Sequence, residues 1–279
     1  MGIMQSGISI HLAPLALFHI GSVVITNTLF TAVVVSALLI ISAYFIGRSL
    51  KLKPSGFQTV IELLIMFPYT FVRDTLENDA LAERVFPLIM TIFLFVLAVN
   101  WFGLLPFVAS VGITEQVQGT NELIPFFYPG ATDLNMTLAL ALIAFFAIEI
   151  AGIATLGAVK YAKKFITFKS PLAFMVGLIE LVSELVRLIS FSFRLFGNIF
   201  AGKVLVLVIM LFVPFIVPVP FLAFETFVGF VQAAIFAVLT LFFTKIAIEV
   251  HEAKTSEGSS PDDSSDESFR EEKSVRLAT

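Results

Sequence analysis

Apolar positions in this chain fall into long unbroken runs, not into the alternating or one-sided patterns of a soluble fold. A helix needs about 20 apolar residues to cross the roughly 30 Å hydrocarbon core of a bilayer. Residues 28–46, 86–107, 134–159, 171–213 and 219–250 meet that requirement, the third broken only by Glu149. Between the first two runs, residues 57–84 set Glu62, Arg73, Asp74, Glu77, Asp79 and Glu83 beside Phe57, Val60, Leu63, Leu64, Phe67 and Phe71. That mixture is too polar to cross and predicts an amphipathic helix on the membrane surface. The expected fold is an all-α polytopic membrane protein with five membrane-embedded helices plus this surface helix.

The last two runs are unusually long. Residues 171–213 hold no internal proline and would reach about 64 Å as a helix, and residues 221–250 about 45 Å. Upright, either would project far into water, which its apolar composition opposes. The pair is expected to form a long slanted hairpin, turning at Pro214, Pro218 and Pro220.

Composition sharpens the picture. The chain is 58% hydrophobic and 14% charged, against about 45–50% and 25% in globular domains. Its last 29 residues hold 8 of the 21 acidic and 4 of the 17 basic side chains, so the body carries thirteen of each and no net charge. No basic surface for nucleic acid can be built from that inventory, and without cysteine there is no disulfide framework. Three divisions follow: an N-terminal segment, residues 1–27, without signal-peptide character; a membrane domain, residues 28–250; and an acidic tail, residues 251–279, too polar to bury a core.

Basic residues alternate between connections. Arg48, Lys51 and Lys53 follow the first run, and Lys160, Lys163, Lys164 and Lys169 follow the third. No Lys or Arg lies between Arg84 and Lys160, where Glu115, Glu122 and Asp133 fall. The positive-inside pattern places the N-terminus outside and, after five crossings, the tail in the cytoplasm. A bacterial plasma membrane is the expected location.

Ionisable groups within membrane spans are costly and point to function. Glu180, Glu184, Arg187, Arg194 and Asn198 fall within about 80° of one another on a helix and form one polar stripe. Lys203 points about 180° from Arg194. On the last run Glu225 and Gln232, seven apart, share a face. Glu184 and Arg187 suit an i,i+3 ion pair. Arg194 sits among Phe191, Phe193, Leu195 and Phe196 with its nearest acid on the stripe ten residues away, so it needs a carboxylate from elsewhere. Lys203 and Glu225, each about ten residues from the turn, suit either a buried ion pair or a proton-accessible site.

The run Arg194-Leu195-Phe196-Gly197-Asn198, followed by Ala201-Gly202, resembles subunit a of the F-type ATP synthase. Further likenesses lie at Pro54-Ser55-Gly56-Phe57-Gln58 with Glu62, at Asn100-Trp101-Phe102-Gly103-Leu104-Leu105-Pro106, at Thr132-Asp133-Leu134-Asn135-Met136-Thr137 and at Gln232. Only the acidic tail falls outside. The resemblance implies a stationary, proton-translocating subunit, not itself catalytic and without cofactor. Its partners would be the c-ring of the rotor, the subunit b peripheral stalk, other synthase subunits and the lipid bilayer, with no nucleic acid. Arg194 would stand between two offset half-channels and attract each ring carboxylate in turn. Glu180 and Ser183, with Glu184 nearby, match the inner half-channel. Glu225 and Lys203 match the outer one, with Glu225 as proton carrier and Lys203 as its electrostatic partner, where the family more often has an acid or histidine. Asn198 and Gln232 match polar residues near the arginine.

Other signals point less far. His11, His19 and His251 are too scattered for a metal site, and no glycine loop for phosphate is present. Glu149 faces away from the small residues Ala147, Ala151, Ala154 and Ala158, a stripe suited to packing on a neighbour. Two other readings compete: a secondary transporter binding an anion at Arg194, and a purely structural membrane scaffold.

Overall fold

The computed structural model describes residues 16–20, 23–54, 56–105, 111–117, 120–157, 161, 171–213 and 216–249. Outside the described residues lie the acidic tail, the basic cluster from Lys160 to Lys169, Ser55, Pro106, Ala158, Pro214, and the positions of His11 and His251.

The protein is an all-α polytopic membrane protein. Its helices are α1 (Asn27–Ser49), α2 (Gly56–Leu76), α3 (Asp79–Leu104), α4 (Leu134–Leu156), α5 (Pro171–Phe212) and α6 (Pro218–Glu249). All but α2 are long and apolar enough to cross a membrane. Two antiparallel strand pairs, β1–β2 (Ala16–Ile20, Val23–Thr26) and β3–β4 (Gly112–Val117, Thr120–Pro125), precede α1 and α4.

Local chemistry sets the helix ends. The Thr26 hydroxyl accepts from the Leu29 N–H at 3.3 Å and caps α1, while Arg48 sits in its last turn, where a cation opposes the helix dipole. Gln58 then staples the following link. Its side-chain carbonyl accepts from Lys51 N–H at 3.1 Å, and its amide donates to Lys51 C=O at 3.0 Å and to Glu62 at 2.8 Å. Helix α2 is amphipathic as its sequence predicts. Val72 and Leu76 turn inward onto Ala82, Val85, Ile89, Ala237 and Leu241, while Phe57, Leu63, Leu64 and Phe67 stay exposed.

The polar segment between the first two apolar runs is not one helix. Glu77 takes a left-handed backbone with φ of 53°, and Asn78 caps a new helix by accepting from Leu81 N–H at 3.1 Å. Asp79, Glu83 and Arg84 therefore open α3, which starts ahead of its apolar run. Ion pairs Arg73–Asp79 at 2.8 Å and Lys245–Glu77 at 3.0 Å brace this corner.

The core lies where α3, α4, α5 and α6 converge, around Ile92, Val96, Ala141, Ala144, Phe191, Leu195, Ala233 and Phe236. Small residues there let helix axes approach closely where apolar lipid offers no hydrophobic contrast. Helix α4 packs through Leu140, Ala141, Ala144 and Ile148, whereas Ala147, Ala151 and Ala154 are half-buried or exposed. Helix α6 packs more extensively on α3 and α4 than on α5, and α5 packs mainly on α4. Helix α6 is thus held chiefly by the α3–α4 pair, and α5 by α4 and then α6.

Candidate functional site

The 42 residues of α5 span about 63 Å and divide into a packed face and an open one. Phe191, Ser192, Leu195, Ile199 and Val206 are buried, while Ser183, Ser190, Phe193, Arg194, Gly197 and Ala201 are exposed. The polar stripe runs along the border between these faces. Glu184, at one side of the stripe, is 4% exposed; Glu180, Arg187 and Asn198 are half-buried; Arg194, at the other side, is open.

Among the described residues Arg194 makes one weak hydrogen bond, from Nη2 to the Ser190 hydroxyl at 3.5 Å, with its guanidinium 6.0 Å from the Phe191 ring. Among the described residues no carboxylate pairs with it. One turn on, Asn198 Nδ2 donates to Gln232 Oε1 at 3.3 Å, tying α5 to α6 beside the arginine. Gln232 itself is buried.

Glu225, on α6, is 5% exposed and lies against Gly202 of α5. A Cβ added at Gly202 would stand 3.1 Å from Glu225 Oε1, so the glycine leaves room for the carboxyl group. Lys203 does not pair with Glu225 among the described ion pairs. Its Nζ stands 3.0 Å from the centre of the Tyr128 ring, in the loop before α4.

Two residues of α3 fix α6 between these polar positions. Asn100 Nδ2 donates to Gly229 C=O at 3.4 Å, and Trp101 Nε1 donates to Thr226 C=O at 3.0 Å. Glu225 and Gln232 bracket the clamp along α6, so α3 sets their height. On the other side of the site, the Thr137 and Ser192 hydroxyls meet at 3.1 Å and tie α4 to α5.

Toward the N-terminal end of α5 the polar groups serve different partners. The Glu184–Arg187 pair forms at 2.6 Å, and the Arg187 guanidinium lies 3.9 Å from the centre of the Phe243 ring, binding α5 to α6. Glu184 is thus turned into the bundle. The Ser183 hydroxyl, on the open face, donates to Ile179 C=O at 2.8 Å. Beyond α4, burial pushes the Tyr161 phenol well above its usual range, with Glu149 adding to the effect. Tyr161 packs on Gly152, where a Cβ would come within 2.6 Å of the ring.

The structure therefore brings Asn198 to Gln232 and Gly202 to Glu225, keeps Lys203 off Glu225, and leaves Arg194 open. Residues 28–245 match the ATP synthase A chain family. The chain belongs to that family. Relatives named ATP synthase subunit a include one from Campylobacter fetus, 34% identical over 81% of this chain and 92% of its own length. Another from Moorella thermoacetica is 31% identical over 86% and 98%, and one from Mycobacterium tuberculosis is 36% identical over 84% and 91%. Family membership leaves the anion-transporter and scaffold readings without support. Tyr128 and the α3 clamp's grip on α6 escaped the sequence reading. The clamp residues stand in a recognisable motif, but its spacing does not reveal which helix they hold.

Proposed function

We propose that this chain is the stationary proton-translocating subunit of a rotary F-type ATP synthase, without catalysis of its own. Arg194 carries the reading. It is a permanent cation on the open face of an apolar helix, with no carboxylate of its own chain among the described residues to neutralise it. Such a charge is costly in a membrane unless a partner supplies the anion. A ring of c subunits, each presenting one carboxylate, would do so in turn.

Guanidinium holds its proton throughout the working pH range, so Arg194 attracts a deprotonated ring carboxylate without passing a proton across itself. A proton entering from outside through Glu225 must then ride the ring before leaving near Glu180 and Ser183. Helix arithmetic separates the stations, with about 21 Å between Glu180 and Arg194 and about 13 Å between Arg194 and Lys203. Asn198 and Gln232 line the approach to the arginine. In this reading α5 and α6 lie slanted in the bilayer, the N-terminus is outside, and the acidic tail is cytoplasmic. The membrane is a bacterial plasma membrane, with the c-ring, subunit b and other synthase subunits as partners.

Purification through a tag on this chain from detergent-solubilised membranes tests the assembly. The expected result is co-purification of a soluble ATPase and a small, very hydrophobic ring-forming polypeptide in stable association. Recovery of the chain without either contradicts the reading.

A further inference from the structure

The loop at residues 126–133 is held from several sides. Tyr128 N–H donates to the Thr31 hydroxyl at 2.9 Å, and that hydroxyl donates to Asn27 C=O at 2.8 Å. Phe127 packs on Phe30 and Phe102, with ring centres 5.4 and 5.3 Å apart. Pro129 lies over Gly103 so closely that a Cβ there would meet its Cα at 2.6 Å. At the far end of the loop, Asp133 accepts from the Thr28 hydroxyl at 2.8 Å. The Tyr128 ring is therefore a fixed platform, and burial pushes its phenol above the usual range, so it stays neutral.

Lys203 is the flexible partner. Its ammonium rests 3.0 Å from the centre of that ring, although a Cβ added at the preceding residue, Gly202, would stand 3.1 Å from the Glu225 carboxyl group. Opposite charges attract strongly where the dielectric is low. A cation on an aromatic face is attracted by the ring quadrupole, more strongly the less water surrounds it. The ring and the carboxylate compete for one ammonium, and the ring holds it.

We propose that Tyr128 is a positioning residue of the outer proton path, holding the Lys203 ammonium away from Glu225 so that the carboxyl group can take up and release protons. This rests on the reading of Glu225 as a proton station. A locked Lys203–Glu225 pair keeps the carboxylate charged, the form that has no proton to deliver. The other charges lie farther off. On α5 the next is Arg194, about 13 Å along the helix. Arg48, Asp79, Glu83, Arg84, Glu149 and Lys245 stand toward the opposite ends of their helices. Asp133 is engaged by Thr28 and by Asn135 N–H, and the side chains of Glu115 and Glu122 lie outside the described residues.

The test is proton-driven ATP synthesis by the whole complex in membrane vesicles, with the pH on the outer-channel side varied. Tyr128→Leu should move the half-maximal point about one pH unit toward acid, and Tyr128→Phe, which keeps the ring, should hold the wild-type profile. The double variant Tyr128→Leu/Lys203→Met should match Lys203→Met alone, because no ammonium remains to be positioned. An unshifted Tyr128→Leu profile, an equal shift without Lys203, or a shift with Tyr128→Phe each overturns the proposal. If Tyr128→Leu does not assemble, Tyr128→Met, which also removes the aromatic face, replaces it with the same expected shift, and an unshifted profile there overturns the proposal. Arg194→Gln in the same vesicles separates the two levels. Normal synthesis there removes the proton-path reading itself, whereas loss there with an unshifted Tyr128→Leu profile removes only the role of Tyr128.

Discussion

Glu225 depends on space as much as on charge. Helix α5 has a glycine where the carboxyl group arrives, and a Cβ at Gly202 would sit 3.1 to 3.3 Å from three atoms of that side chain. Gly202→Val adds two methyl groups beyond that point, and a displaced Glu225 cannot serve a path built around its present position. The expected outcome is a tenfold or greater fall in ATP-driven pumping by an assembled complex, on the order of 1.4 kcal/mol. Gly47→Ala on α1 is the matched control. Nothing lies within 4 Å of its new Cβ, and alanine favours the helix by roughly 1 kcal/mol, so pumping should be unchanged. Equal losses from both substitutions would show that any added methyl group in the bundle disturbs function, and the argument about Glu225 would fail. At this scale the residues of the candidate site stand out in the sequence, since Arg194, Asn198, Glu225 and Gln232 are polar residues in apolar surroundings. Their partners were not, because a lysine can reach an aromatic ring or a carboxylate and spacing alone does not choose between them.

Among the elements, α5 is the one whose surface calls for a partner. Its open face carries Leu178, Ile179, Val182, Val186, Ile189 and Phe193 on the N-terminal side of Arg194. A Cβ at Gly197, three positions on, meets nothing of this chain within 4 Å. Gly197→Leu should therefore leave the chain's abundance in the membrane close to wild type, while a bulky side chain against a passing ring should reduce pumping by tenfold or more. Normal pumping with normal abundance would mean that nothing passes this face; loss of the chain from the membrane would mean that the face is packed. The helices themselves were readable from length and hydropathy. Their ends were set by short-range chemistry that runs of apolar residues do not report, as where Glu77 and Asn78 divide α2 from α3. The strand pairs were missed beside the stronger helical signal, although Gly21-Ser22 between Phe18-His19-Ile20 and Val23-Val24-Ile25 is a short hairpin pattern.

For the whole molecule, the central question is which way it faces. Absence of cysteine makes single-site labelling clean. Leu52, after α1, and Val111, before β3, are both exposed and lie in connections separated by one crossing. With a membrane-impermeant thiol reagent, Leu52→Cys should react only in inverted vesicles and Val111→Cys only from the outer surface. The reverse pattern would overturn the orientation drawn from Arg48, Lys51 and Lys53. Beside the apolar core, tertiary order at this scale includes pairwise polar links between distant helices: Asn100 and Trp101 to α6, Thr137 to Ser192, and Asn198 to Gln232. Each joins residues dozens to more than a hundred positions apart, a relation that local periodicity cannot carry.

ATP-driven acidification of inverted membrane vesicles, comparing wild type with Arg194→Gln in a complex shown to be assembled, tests the account most directly. Acidification should disappear while ATP hydrolysis by the attached soluble sector remains measurable, because the passing ring carboxylates lose their fixed counter-charge. Acidification at the wild-type rate would contradict the account, since the one cation it places between the two half-channels would then not be needed there.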